Sequence, residues 1–138
     1  MTPKREWALV VPLLGALLII PFWQVATMQG VVITNDIATS DIANLHHPER
    51  HFLGRELRAG RLPLWLPEIY MGYPIQAEGM VGVFYPPNLL LFGLLPSPVA
   101  QNLSVLWPFF VAAFATYALA RKLGAAIWPS LVAAVAYA

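Results

Sequence analysis

The charged side chains of this chain are clustered, and the gaps between the clusters constrain its fold more than any other feature. Trp7 to Met28 is a run of 22 residues without Asp, Glu, Lys or Arg. As an α-helix rising about 1.5 Å per residue it covers roughly 33 Å, enough to cross a hydrocarbon core of about 30 Å. Val99 to Ala120 is a second run of the same length, closed by Arg121 and Lys122. Composition agrees with the gaps. Hydrophobic residues make up 59% and charged residues 11% of the chain, where a soluble domain is about a quarter charged. The mean hydropathy is +0.64.

These runs predict an all-α integral membrane protein, a polytopic helical bundle with one long polar loop. Four segments follow: residues 1–28 as a cytoplasmic start and first spanning helix, 29–98 as an extracytoplasmic loop, 99–122 as the second spanning helix with its basic end, and 123–138 as the start of a third. Ala125 to Ala138 is too short to span, so the chain is expected to be an N-terminal fragment whose partners include the remaining C-terminal helices. A cleaved signal peptide is the competing reading of the first run. Pro12 interrupts its apolar centre, and no small-x-small cleavage site follows it. Lys4 and Arg5 precede the first run, and Arg121 and Lys122 follow the second. Both pairs then lie on one side, which the excess of Lys and Arg in cytoplasmic segments makes the cytoplasm. The loop faces the periplasm or cell exterior.

The net charge of +1 is uninformative, and no basic stripe points to a nucleic-acid partner. With no cysteine there is no disulfide framework and no thiolate metal site. The 29–98 loop holds both aspartates, all three histidines, and four each of the glutamates and arginines. Val31 to Ile33 suits a short strand or an extended exit from the membrane. Asp41 suits a helix cap and Pro48 a first helical turn. Glu49 to Ala59 reads as an amphipathic helix ended by Gly60, with Phe52, Leu53 and Leu57 as its apolar face and Glu49, Arg50, Arg55, Glu56 and Arg58 as its polar remainder. Such a helix is expected to lie along the membrane surface. The proline-broken segment from Arg61 to Pro74 is an aromatic loop, with Trp65, Tyr70 and Tyr73 at headgroup level. Asn88 to Leu95 is too short to span and reads as an interfacial or re-entrant helix.

Several residues carry candidate chemistry. Asp36 and Asp41 stand just past the first membrane exit, where a carboxylate acts as general base or metal ligand; Asp is equally favoured in turns and caps. His47 and His51 have the spacing of one helix face, but Pro48 intervenes and no HExxH pattern exists, so solvated loop histidines are the expectation. Arg50, Arg55, Arg58 and Arg61 form a basic patch. A guanidinium matches phosphate geometry, and it equally touches anionic headgroups without specificity. Glu78 stands alone in an uncharged stretch that begins at Ile69.

In order, Asp41, Pro48, the helix to Gly60, Pro63-Leu64-Trp65, Gly72-Tyr73-Pro74 and Tyr85-Pro86-Pro87 resemble the pattern of the YfhO-type bacterial membrane protein family. That family looks like GT-C glycosyltransferases. The resemblance covers about fifty residues and departs at Leu66, where the pattern has Asn. It implies a multi-spanning enzyme of the bacterial inner membrane that moves a sugar from a polyprenyl-phosphate-type donor on the outer face. Asp41 is then the catalytic base, with Asp36 the alternative. Arg50, Arg58 and Glu78 bind substrate, and Asp41 and Glu78 are the candidate ligands for a divalent ion such as Mg or Mn. The partners implied are the lipid bilayer and a lipid-linked sugar. A transporter or flippase of lipid-linked sugars, or a non-catalytic assembly protein, is the alternative.

Overall fold

Proline placement divides the apolar start of the chain. The computed structural model describes residues 3–32, 36 and 38–138. Helix α1 runs Pro3–Ile19 and contains Pro12. It stops there because Pro21 has no N–H to donate. The Phe22 N–H turns back to the Ile19 carbonyl at 3.0 Å, and a single helical turn, α2 (Trp23–Ala26), follows. The single spanning helix expected from Trp7 to Met28, with Pro12 and Pro21 inside it, is therefore two pieces. At 17 residues α1 is about 26 Å long, short of the roughly 30 Å of a hydrocarbon core.

The remaining elements are also helical. A π-helical turn at Ile42–His46 leads into α3 (His47–Arg58), and a 3₁₀ turn spans Ile75–Ala77. Helix α4 is Pro86–Leu94, α5 is Ser97–Lys122 and α6 is Ile127–Tyr137. Among the described residues, β-pairing is limited to Leu66 and Tyr73. Among them α5 is the one helix long and apolar enough to cross a membrane, and only 17% of its apolar stretch is buried. Of the short strand or extended exit expected at Val31–Ile33, Val31 and Val32 belong to no strand, and Ile33 lies outside the described residues.

The chain forms two units, residues 1–27 with 105–138, and residues 28–104. In the first, Val10, Leu14 and Leu18 of α1 are buried one turn apart, and they pack with Ala113 and Tyr117 of α5 and Leu131 and Ala134 of α6. The opposite faces stay apolar and uncovered: Leu9, Ile20, Trp107, Leu119, Trp128 and Val132 are all more than half exposed. At one end, Glu6 accepts hydrogen bonds from Tyr117 Oη at 2.7 Å and from Arg121 Nε at 2.5 Å and Nη2 at 2.9 Å. The start of α1 and the basic end of α5 therefore lie at one level, as the charge pattern requires.

The second unit buries Phe52 and Leu53 of α3, Phe92 of α4 and Ala100 of α5 with Leu66, Ile75, Val81 and Val83 from the connecting segments. Leu57 packs at its edge. The expected apolar face of the α3 helix is thus real, but protein covers it, so it is not a face laid on a membrane. Helix α4 begins with Pro86 and Pro87 at its first two positions, where a missing N–H costs nothing. Arg58 Nη1 donates to the carbonyls of Phe92 and Leu95, both at 2.9 Å, and so supplies donors at the end of α4. Gly54 makes this approach close: a Cβ there would stand 3.1 Å from the Phe92 carbonyl oxygen.

The segments Pro63-Leu64-Trp65 and Gly72-Tyr73-Pro74 meet. Leu66 and Tyr73 exchange backbone hydrogen bonds at 2.9 and 3.0 Å. Gly72 has φ +97°, and a Cβ on it would stand 2.6 Å from Trp65 Nε1. Leu66, where the family pattern has Asn, is 1% exposed and belongs to the core.

Two outcomes follow from this packing. Gly72→Ala combines an unfavourable φ with a clash against Trp65, and is expected to lower unfolding free energy by about 1–3 kcal/mol, read as a fall in the thermal midpoint of the purified chain. Arg121→Gln leaves Glu6 without its cation and is expected to lower the midpoint too. Adding Glu6→Gln should recover part of that loss, measured as non-additivity in the double-mutant cycle.

Candidate functional site

Helical spacing places Glu49 on the same side of α3 as Phe52 and Leu53, three and four residues on. Glu49 is accordingly 1% exposed and does not belong to the polar remainder expected of this helix. A carboxylate taken out of water needs donors. Tyr73 Oη donates to Glu49 Oε1, and His46 Nδ1 lies 3.1 Å from Oε2, donating in the tautomer that carries its proton there. His46 is itself buried. Burial pushes the Tyr73 phenol far above its ordinary pKa, and the carboxylates of Glu49 and then Glu78 push it further. Tyr73 is therefore a phenol, not a phenolate, at any physiological pH.

Arg50, the next residue on α3, is half buried. Its Nη1 donates to Gln101 Oε1 at 3.1 Å and its Nη2 to the Met80 carbonyl at 3.0 Å. Burial lowers its pKa and neighbouring Glu49 acts the other way; an arginine stays cationic through such a change. Among the described residues it forms no ion pair, its two named partners being neutral oxygens. Glu78 caps the same turn, its Oε1 accepting the Met80 N–H at 3.1 Å. Through Met80 and Tyr73 the structure brings Glu49, Arg50 and Glu78 into one neighbourhood.

The other expected site residues are placed differently. Asp41 is exposed at the head of the π-helical turn, and its side chain makes no capping bond; the Ser40 hydroxyl accepts the Ala43 N–H instead, at 3.4 Å. Asp36 is spent on a local turn, where Oδ1 accepts the Ala38 N–H at 3.2 Å. Arg58 is engaged at the end of α4. Arg55 pairs with Glu68 at 2.5 Å, and Arg61 pairs with Glu56 at 2.7 Å.

The histidines are not uniformly solvated, contrary to expectation. His46 is buried, His47 half buried and His51 exposed. Burial first, and the charge of His51 second, lower the His47 pKa, so its imidazole is neutral at neutral pH. Among the described residues no three or more His, Asp and Glu side chains gather to hold a metal ion.

Sequence reasoning missed Glu49, Tyr73, His46 and Gln101. The signal for Glu49 was its register with Phe52 and Leu53. Gln101 carried none, because its contact with Arg50 joins residues 51 positions apart. No protein-family model, characterised protein or solved structure matches this chain.

Tyr73→Phe removes one of the two side chains serving a buried carboxylate. It is expected to cost about 1–3 kcal/mol, measured by denaturant unfolding, while Tyr70→Phe, at an exposed ring, leaves stability unchanged.

Proposed function

We propose that this chain belongs to a multi-spanning membrane protein that transfers a sugar from a polyprenyl-phosphate-type lipid donor, with residues 29–98 on the outer face of a bacterial inner membrane. One observation carries the reading: a half-buried guanidinium, Arg50, is oriented by neutral acceptors next to the buried Glu49 carboxylate, which Tyr73 engages. Its charge is thus available to an incoming anion. The apolar exteriors of α1, α5 and α6 support a membrane setting, and the ordered motifs from Asp41 to Pro87 support the family.

The chemistry divides among the residues as follows. An acceptor hydroxyl must lose its proton as its oxygen attacks the anomeric carbon. Asp41 is the base, since its carboxylate is exposed and makes no capping bond, whereas that of Asp36 is spent on a turn. The bond from the anomeric carbon to the phosphate oxygen breaks, and negative charge grows on the departing phosphate. Arg50 stabilises that charge in a site partly withdrawn from water. Glu78 fixes the turn whose Met80 carbonyl holds Arg50, and Glu49 with Tyr73 fixes the start of α3. Arg58 acts on this site by holding α3 to α4.

Asp41→Asn is expected to reduce transfer about 10²–10⁴-fold, the usual contribution of a positioned base, with membrane insertion intact. The assay follows label from radiolabelled polyprenyl-phosphate sugars in membranes of cells expressing the gene. Undiminished transfer by the variant sinks the assignment of Asp41. Labelled carrier that crosses the membrane with no bond broken indicates a transporter instead.

A further inference from the structure

The backbone of the second unit holds a costly conformation at its most exposed point. Ile69 to Gly72 is a turn closed by the Gly72 N–H donating to the Ile69 carbonyl at 2.8 Å. Its two central residues, Tyr70 and Met71, have φ of +54° and +63°. Positive φ at both centres is the pattern of a type I′ turn, where Gly, Asn and Asp prevail because a Cβ crowds the backbone. A tyrosine and a methionine occupy those places instead. Their side chains do not repay the strain by filling a core: Met71 is fully exposed and Tyr70 is 77% exposed.

The turn is nevertheless held firmly. The Leu66–Tyr73 pair closes it from below. The Tyr70 and Tyr73 rings lie 6.4 Å apart. Glu68, the charge nearest the turn in sequence, is engaged by Arg55 at 2.5 Å. Trp65, over Gly72, is more than half exposed, as are Leu62 and Leu64. Backbone strain of this kind clusters where side chains serve something other than core packing.

We propose that the Tyr70–Met71 turn inserts into the headgroup region of a phospholipid bilayer, with Trp65 beside it. Tyrosine and tryptophan suit that region because each joins an apolar ring to one polar atom. Methionine is flexible enough to fit among acyl chains. The bilayer is the occupant because α5, which starts 26 residues after Met71, is long and apolar enough to tether this unit to one. The inference rests on the membrane placement proposed above and not on the transfer reaction.

The chain contains no cysteine, so single sites can be labelled without removing others. The full chain is reconstituted in phosphatidylcholine–phosphatidylglycerol vesicles as Met71→Cys, Gln76→Cys or Leu119→Cys, each carrying an environment-sensitive fluorophore. Quenching is measured with spin-labelled lipid and, separately, with aqueous iodide. The label at 71 is expected to be quenched by lipid at least about twofold more than the label at 76, an exposed site on the 3₁₀ turn, and to be protected from iodide. Lipid quenching at 119 with iodide quenching at 71 overturns the inserted turn alone. Iodide quenching at all three sites overturns the membrane placement as well. A label at 71 reached by neither quencher means that a protein surface or a second copy covers the turn, which also overturns the proposal.

Discussion

A carboxylate buried at the first turn of a helix has to be given donors, and much of the second unit is arranged around that need. Glu49 is brought inside because it shares a face with Phe52 and Leu53. Left alone there it would oppose folding by several kcal/mol. His46 reaches it from the turn that precedes α3, and Tyr73 from a segment 24 residues away. The tyrosine can arrive only if its strand pairs with Leu66, and the pairing leaves six residues to turn the chain round. The tight turn at Tyr70 and Met71 is thus linked to the buried carboxylate by the length of the connection.

The same helix carries contacts to several other segments of this unit. Arg50 reaches Met80 and Gln101, while Arg58 reaches the end of α4. Both guanidiniums meet neutral oxygens, whereas Arg55 and Arg61 meet carboxylates. The difference matters electrostatically. An arginine paired with a glutamate offers little net field to an anion, and one held by amide oxygens keeps its charge. Four arginines within twelve residues therefore make three kinds of contact: with carboxylates, with the carbonyls at a helix end, and with neutral oxygens of distant segments.

The first unit follows a different economy. Its buried seam is narrow, a single stripe on α1 against Ala113 and Tyr117 of α5 and Leu131 and Ala134 of α6, and its outer surface is apolar. In water such an exterior would be a large aggregation liability. In lipid it is the ordinary surface of a helix, and the few polar contacts carry the specificity. The Glu6–Tyr117–Arg121 group is of that kind, joining residues more than a hundred positions apart at one end of two helices.

From the residues alone came the helical class, the positions of α3, α4 and α5 to within two residues at each end, and the common level of the start of α1 and the end of α5. Charge gaps, proline positions and a terminal glycine encode these locally, through backbone geometry and solvation. The apolar face of α3 was legible for the same reason. The partner of each polar group was not legible in this way. The burial of Glu49, the capping role of Arg58 and the hold of Gln101 on Arg50 depend on packing between segments distant in sequence. A polar side chain read in isolation looks solvated, and it becomes a buried group with fixed partners only when another segment removes its water.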